Sequence, residues 1–254
     1  MTHNQIAILT DVDMTLVPST SKVLSDERRA IALALHQKLG GAFALVTGRP
    51  QSSVDETFNG FLPASVEHHS AWRPTQGSQF NALAPHLDSD ALHASAHKMI
   101  HGNLHIFDEQ HEVLGDKAGV FIELKKHSLA LIFAPKATPE AGKDLLKSVA
   151  AKMLVGPLAT SHRISVGSDA VEIVPNGLNK GDAVRHFMST PAFAGKTPIF
   201  IGDSSSDEKG MIVCANEYGG HGIAVGGGIP DAPHIKTRLQ NPDQVWAYLQ
   251  SLTL

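Results

Sequence analysis

Ile6-Ala7-Ile8-Leu9-Thr10-Asp11-Val12-Asp13-Met14-Thr15-Leu16 joins a short apolar run to two carboxylates. The run over positions 6–9 is too short for a helix, and its isoleucines suit a strand buried on both faces. A side chain at the C-terminal end of such a parallel strand points into the crevice where open α/β sheets bind ligands. Alternation sends Asp11 and Asp13 off the strand on the same side. Two like charges so close repel, and a cation or a shared proton must relieve them. With a divalent metal present, one carboxylate can attack phosphorus while the other handles a proton. The other use of such a pair is to cap a turn, so the sequence on either side has to decide between the two.

Working outward, Val17 to Ser21 reads as a loop, and Ser25 caps a helix whose apolar positions 31, 35 and 39 share one face. Gly40-Gly41 stops it, and Ala42-Phe43-Ala44-Leu45-Val46 is a second buried strand, which makes a βαβ unit. That strand delivers Thr47-Gly48-Arg49-Pro50 to the sheet edge of the aspartates. Thr47 offers a hydroxyl to a phosphoryl oxygen, Gly48 lets backbone approach an anion, and Pro50 fits the first turn of a helix to about Phe58. An ordinary strand-to-helix turn has the same residues, so this stretch alone supports both readings. Further on, Asn179-Lys180-Gly181-Asp182 opens a helix through about Met188, and Thr197 to Asp203 is a third buried strand that ends on a carboxylate. Ser204-Ser205-Ser206-Asp207-Glu208 adds a second acid at a helix start. Gly222 to Gly226 is a fourth strand, and Asn241 to Leu249 a closing helix.

Between these halves the pattern changes. Val66-Glu67-His68-His69-Ser70-Ala71-Trp72-Arg73-Pro74 is polar and aromatic, and a connector rich in Gln, Ser and Asn runs to about Ala84. Helical spacing from Pro85 to His101 (Leu87, Leu92, Met99, Ile100) precedes two alternating runs, 120–125 and 128–133, which read as a hairpin. A helix from Thr138, its cap, through Pro139 to Met153 precedes a second hairpin, 163–166 and 170–174 around Gly167-Ser168-Asp169. The expected architecture is α/β, a Rossmann-like parallel-sheet core over 1–84 and 176–254 with an inserted α+β cap over 85–175.

The 254 residues, 42% of them hydrophobic, are enough to fill a core. A net charge of −4 with scattered lysines and arginines gives no basic surface, so nucleic acid is not an expected partner. Cys214 is the only cysteine, which excludes an intrachain disulfide, and Met1-Thr2-His3-Asn4 lacks a signal-peptide pattern. The chain is read as cytoplasmic and monomeric. No apolar run reaches the roughly 18 residues of a membrane span. The 15 histidines, apart from His68-His69, are dispersed without a ligand spacing.

Asp11/Asp13, Thr47, Lys180 and Asp203/Asp207, in this order on strand ends, resemble the four motifs of the haloacid dehalogenase superfamily: DxDxT, Ser/Thr, Lys and GDxxxD. Within it, Glu67-His68, Glu123-Leu124-Lys125, Val171-Glu172-Ile173-Val174-Pro175 with Lys180-Gly181, and Gly202-Asp203 to Asp207-Glu208 resemble the trehalose-6-phosphate phosphatase family. The resemblance implies a Rossmann-like core with a cap and a phosphosugar substrate. It makes Asp11 the nucleophile that forms an aspartyl-phosphate, and Asp13 the acid that protonates the departing sugar oxygen and then activates water. Mg2+ would be held by Asp11, Asp203 and the backbone carbonyl of Asp13. Thr47 and Lys180 would complete the catalytic set with Asp207 supporting, and Arg49, Glu67, His68, Glu123, Lys125 and Glu172 would bind substrate. Charge arithmetic agrees, because a phosphate dianion repels a carboxylate unless a metal and a cation such as Lys180 neutralise it. Alternation puts Glu123 and Lys125 on one face, where charged groups suit hydroxyl recognition or simple solvation.

Four departures stand out. Met14, Ser204 and His69 replace the family's usual Gly, second acid and Gly, and Phe133-Ala134 stands where Tyr-Arg is frequent. The rival readings are a phosphatase of another phosphosugar, a phosphosugar mutase of the same architecture, and a response-regulator-type phospho-acceptor, which has about half this length and no large insert.

Overall fold

Strand β1 (Ile6–Thr10) is buried along its whole length. It lies between two parallel neighbours, β10 (Thr197–Gly202) and β2 (Phe43–Val46), which explains a run with no polar face. A computed structural model describes residues 5–18, 24–87, 92, 94–95, 119–134, 140–167 and 170–253 of the chain. Among these, the core sheet has eight strands in the order β12-β11-β10-β1-β2-β3-β4-β5. The flanking strands are β3 (Ala64–Val66), β4 (Ala71–Arg73), β5 (Asn81–Ala82), β11 (His221–Val225) and β12 (Ile235–Leu239). β12 through β3 run parallel, and β4 and β5 are antiparallel additions at one edge.

The helices stand close to where periodicity puts them. In α1 (Asp26–Lys38), Ser25 accepts a hydrogen bond from the Arg28 N–H, Leu35 and the following Leu39 are buried, and Gly40 and Gly41 turn the chain away with φ of 62° and 91°. Helix α2 (Gln51–Phe58) follows Thr47 to Pro50. Past the insert come α5 (Lys180–Met188), capped by Asn179, α6 (Ser205–Tyr218) and α7 (Pro242–Ser251), capped by Asn241. The Trp246 indole N–H donates to the Leu16 carbonyl at 2.7 Å, which fastens the turn after β1 to the last helix.

The composition of 63–84 predicts a polar stretch and connector, but β3, β4 and β5 extend the core sheet there. They are two or three residues long, too short for alternation to register. β12 was not anticipated either, being an edge strand of mixed exposure without an apolar run.

The chain divides into two compact units, Met1–Leu83 with Leu178–Leu254, and Ala84–Gly177. In the second, β6 (Gly119–Leu124) and β7 (Leu129–Ala134) form one hairpin, and β8 (His162–Val166) and β9 (Ala170–Pro175) another. β7 pairs with β9, giving one antiparallel sheet in the order β6-β7-β9-β8. Helix α3 (Glu140–Met153) packs Leu146, Val149 and Met153 on Leu129, Leu131 and Ile173, and α4 (Pro157–Ser161) precedes β8. Thr138, Pro139, Ser168 and Asp169 lie outside the described residues, as does most of the helix expected over 85–101. Among the described residues no helix is long and apolar enough to cross a membrane.

Candidate active site

The parallel register fixes the site. Thr10 stands level with Ile201 on one side and Leu45 on the other, so Asp11, Asp203 and Thr47 leave adjoining strands at one sheet edge. The Asp11 N–H donates to the Ile201 carbonyl at 2.9 Å, and the Thr47 N–H to the Ser65 carbonyl at 2.9 Å, so both residues start from hydrogen-bonded backbone. A short bridge between Asp13 and Val17 closes the turn after β1, with Met14 at φ 57° where a glycine would be unstrained.

Lys180, the first residue of α5, places its ammonium 2.9 Å from Asp11 Oδ1 and 2.5 Å from Asp207 Oδ1. All three side chains are almost wholly buried. Asp207 is positioned from α6, where Ser204 is the N-cap. Its Oδ2 accepts from the Asp203 N–H at 3.2 Å, the Ser204 N–H at 2.9 Å and the Ser204 hydroxyl at 2.8 Å. Gly202 makes room for this, because a Cβ there would lie 2.3 Å from Asp207 Cγ. Ser204 thus serves as a cap where the family has an acid, and Asp207 spends its oxygens on Lys180 and the helix start. Thr15, absent from the sequence-based site although it closes the DxDxT motif, donates from its hydroxyl to Asp203 Oδ1 at 3.3 Å.

Carboxylate oxygens of Asp11, Asp203 and Asp207 all lie within 4.8 Å of one another. Among the described residues one ammonium stands against three carboxylates, and burial and mutual repulsion both act on the acids. Burial, then Asp207, push Asp11 well above the ordinary carboxylate range, against the pull of Lys180. Burial and Asp207 likewise raise Asp203 to about 6. Burial opposes the charge on Lys180, yet Asp11 and Asp207 outweigh it and lift its pKa above the usual lysine value. A buried all-oxygen set short of positive charge suits a hard divalent cation, and Asp11 and Asp203 are the members with oxygens to give.

The Asp13 carboxylate stands outside this trio. Arg49 grips it through both oxygens, Nε to Oδ2 at 2.9 Å and Nη2 to Oδ1 at 2.6 Å, a fork-to-fork pair. The Arg49 N–H also donates to Thr47 Oγ1 at 3.1 Å, which leaves the Thr47 hydroxyl hydrogen available to a ligand oxygen. Glu67 and His68 form a tight turn behind this loop, with Glu67 buried and the His68 ring over Gly48. In the second unit, Glu123 and Glu172 flank Ala130 in register, so their side chains share a face. Lys125 reaches both, 2.9 Å to Glu172 Oε1 and 3.5 Å to Glu123 Oε2.

A trehalose-phosphatase family model matches residues 9–226. The trehalose-6-phosphate phosphatase of Escherichia coli (strain K12) is 28% identical over 214 residues, covering 84% of this chain and 72% of that protein. A probable trehalose-phosphate phosphatase of Sinorhizobium fredii (strain NBRC 101917 / NGR234) is 31% identical, covering 88% of this chain and 79% of that protein. Among solved structures, the C-terminal domain of C. albicans trehalose-6-phosphate phosphatase superposes with a TM-score of 0.68 at 21% identity, covering 98% of this chain and 93% of that one. A haloacid dehalogenase-like hydrolase from Bacteroides thetaiotaomicron gives 0.63 at 18% identity, covering 98% and 99%. With a family model spanning most of its length, from within β1 to the end of β11, this chain belongs to the trehalose-phosphatase family, whose members are phosphoric monoester hydrolases on a haloacid dehalogenase-like fold.

Proposed function

We propose that the chain is a Mg2+-dependent phosphatase that hydrolyses trehalose 6-phosphate to trehalose and phosphate through an aspartyl-phosphate on Asp11. The observation that carries the chemistry is the Lys180 ammonium bonded to Asp11 beside Asp203, at the edge where Thr47 and Arg49 arrive. Asp11 and Asp203 would hold the metal, with the Asp13 carbonyl as the third protein ligand implied by the resemblance. Bound there, a divalent cation would neutralise the excess carboxylate charge and draw negative charge from the phosphoryl oxygens.

An Asp11 carboxylate oxygen attacks phosphorus as the bond to the sugar oxygen breaks, and the leaving oxygen takes a proton from Asp13. Asp13 then takes a proton from water, the resulting hydroxide attacks phosphorus, and the bond to Asp11 breaks to give free phosphate. Lys180 keeps Asp11 aimed and offsets charge on the phosphoryl group, and Thr47 donates to one of its oxygens. Because both Asp13 oxygens are bonded to Arg49, proton transfer requires Arg49 to release one. A substrate phosphate gives the guanidinium another acceptor, so arrival of substrate would free one Asp13 oxygen to take up from solvent the proton that it then gives to the leaving oxygen. Glu123, Lys125 and Glu172 read sugar hydroxyls on this proposal. The test is release of inorganic phosphate across a panel of phosphosugars. Turnover of trehalose 6-phosphate at least about tenfold better in kcat/KM than of glucose 6-phosphate supports the reading. A preference for another phosphosugar, or retention of phosphate on sugar, refutes it.

A further inference from the structure

Three consecutive residues with side chains, Glu67, His68 and His69, have φ of 49°, 57° and 73°. The left-handed region is unfavourable for L-residues bearing a Cβ and persists only where surroundings hold it. On one side this turn backs the loop that carries Thr47 and Arg49. The Glu67 N–H donates to the Arg49 carbonyl at 3.1 Å, the His68 N–H to the Thr47 carbonyl at 3.3 Å, and the His68 ring takes the space where a Gly48 Cβ would sit, 3.1 Å from its Cε1. On the other side the His69 side chain reaches away from the loop. The fully buried His69 ring bonds through Nδ1 to Ser65 Oγ at 2.9 Å and through Nε2 to His186 Nδ1 at 2.7 Å. His186 lies on α5, the helix that begins with Lys180, and is stacked on Trp72 with ring centroids 5.0 Å apart.

A glycine at 69 would carry φ 73° without strain, so the two hydrogen bonds of the buried imidazole are what offsets the unfavourable backbone. The approach of Nε2 to Nδ1 also leaves room for one shared N–H and no metal. We infer that His69 is a positioning residue. Its hydrogen bond to His186 locks the strained turn to α5 and so holds the Thr47 to Arg49 loop in fixed relation to Lys180. This rests on the proposal that those three residues handle the phosphoryl group. The loop and the helix belong to segments more than a hundred residues apart in sequence, and this buried bond joins the turn to α5 beside the stacking of His186 on Trp72.

The test uses His186→Phe, which keeps a ring against Trp72 but removes the nitrogen bonded to His69, and His186→Asn, whose side-chain amide can bond from near the lost Nδ1. Kinetics are measured on p-nitrophenyl phosphate and trehalose 6-phosphate, with the His69 imidazole nitrogens followed by NMR. We expect His186→Phe to lower kcat/KM by about tenfold on both substrates, because the displaced groups act on the phosphate they share, and His186→Asn to return within about threefold of wild type. We expect the His69 Nε2 signal of the wild type to report a strong hydrogen bond that His186→Phe abolishes. Wild-type kinetics in His186→Phe with that bond gone, or equal losses in both variants, overturn the inference. Should His186→Phe not fold, His69→Gly decides: its backbone is relaxed, and full activity in it refutes the lock. A wild-type protein that hydrolyses neither ester refutes the phosphatase reading instead, and leaves the NMR result to judge the contact.

Discussion

Lowering the pH from 7.5 to 5 titrates one buried group whose contribution to stability can be isolated. His69 is fully buried, and burial, with His186 adding to it, depresses its pKa from 6.5 to about 3. The folded state therefore keeps His69 neutral while the unfolded chain takes up a proton. A histidine with a depressed folded pKa gives stability that is intact above about 6.5 and is lost as the pH falls from there toward about 3. One pH unit is worth about 1.4 kcal/mol, so the unit and a half between 6.5 and 5 removes about 2 kcal/mol. In a unit of this size that corresponds to a fall in Tm of about 4–8 °C. His36, His162 and His221 are also depressed by burial, whereas Asp11 and Asp203 are raised and act in the opposite sense, so the wild-type curve alone mixes several groups. His69→Gly removes one titration and leaves those groups in place. Urea unfolding at pH 7.5, 6 and 5 should show the wild type losing about 2 kcal/mol more than His69→Gly. Stability curves parallel to within about 0.5 kcal/mol would refute the assignment of a neutral, buried His69.

Asp11→Asn keeps the shape of the side chain and removes its attacking charge; phosphate release should vanish with circular dichroism unchanged, and a rate within about tenfold of wild type would sink the nucleophile assignment. Stripping metal with excess chelator should stop turnover and Mg2+ restore it, with Ca2+ a poor substitute because its looser shell misaligns Asp11; undiminished activity of metal-free protein counts decisively against the mechanism. Lys125→Ala should lower kcat/KM for trehalose 6-phosphate by about tenfold or more and spare p-nitrophenyl phosphate. Equal losses on both esters would assign Lys125, with its two glutamate partners, to folding of the second unit.

What the sequence made legible was whatever repeats locally. Four short apolar runs became β1, β2, β10 and β11, and the first three are followed at their C-terminal ends by Asp11, Thr47 and Asp203, because a strand buried on both faces has no choice of composition. The alternation of 120–125 and 170–174 found its hairpins and put Glu123 and Glu172 on one face. Pairing between distant segments was not legible. Nothing local says that β7 lies beside β9, that Arg49 grips Asp13, or that His69 meets His186, since each depends on a register or a rotamer set by the whole fold. Thr15 was within reach: it sits two residues from Asp13 in the quoted motif, and its hydroxyl bond to Asp203 is what such a spacing allows across neighbouring strand ends.

The charge balance at the sheet edge ties these observations to an order of events. Among the described residues Lys180 is the ammonium bonded within the trio of Asp11, Asp203 and Asp207, and burial together with repulsion from Asp207 keeps Asp11 and Asp203 raised in spite of it. A phosphate dianion entering that environment would add repulsion, so a divalent cation has to precede it on the proposed mechanism. Asp207 cannot be the residue that yields, since four donors already hold its oxygens. On the proposed mechanism it would fix Lys180, whose second bond reaches Asp11. The same economy governs Arg49. Bonded to Asp13 it compensates that carboxylate; on the proposed mechanism a phosphate would draw the guanidinium away, and Asp13 would take up the proton it passes on only when a leaving group is there to receive it.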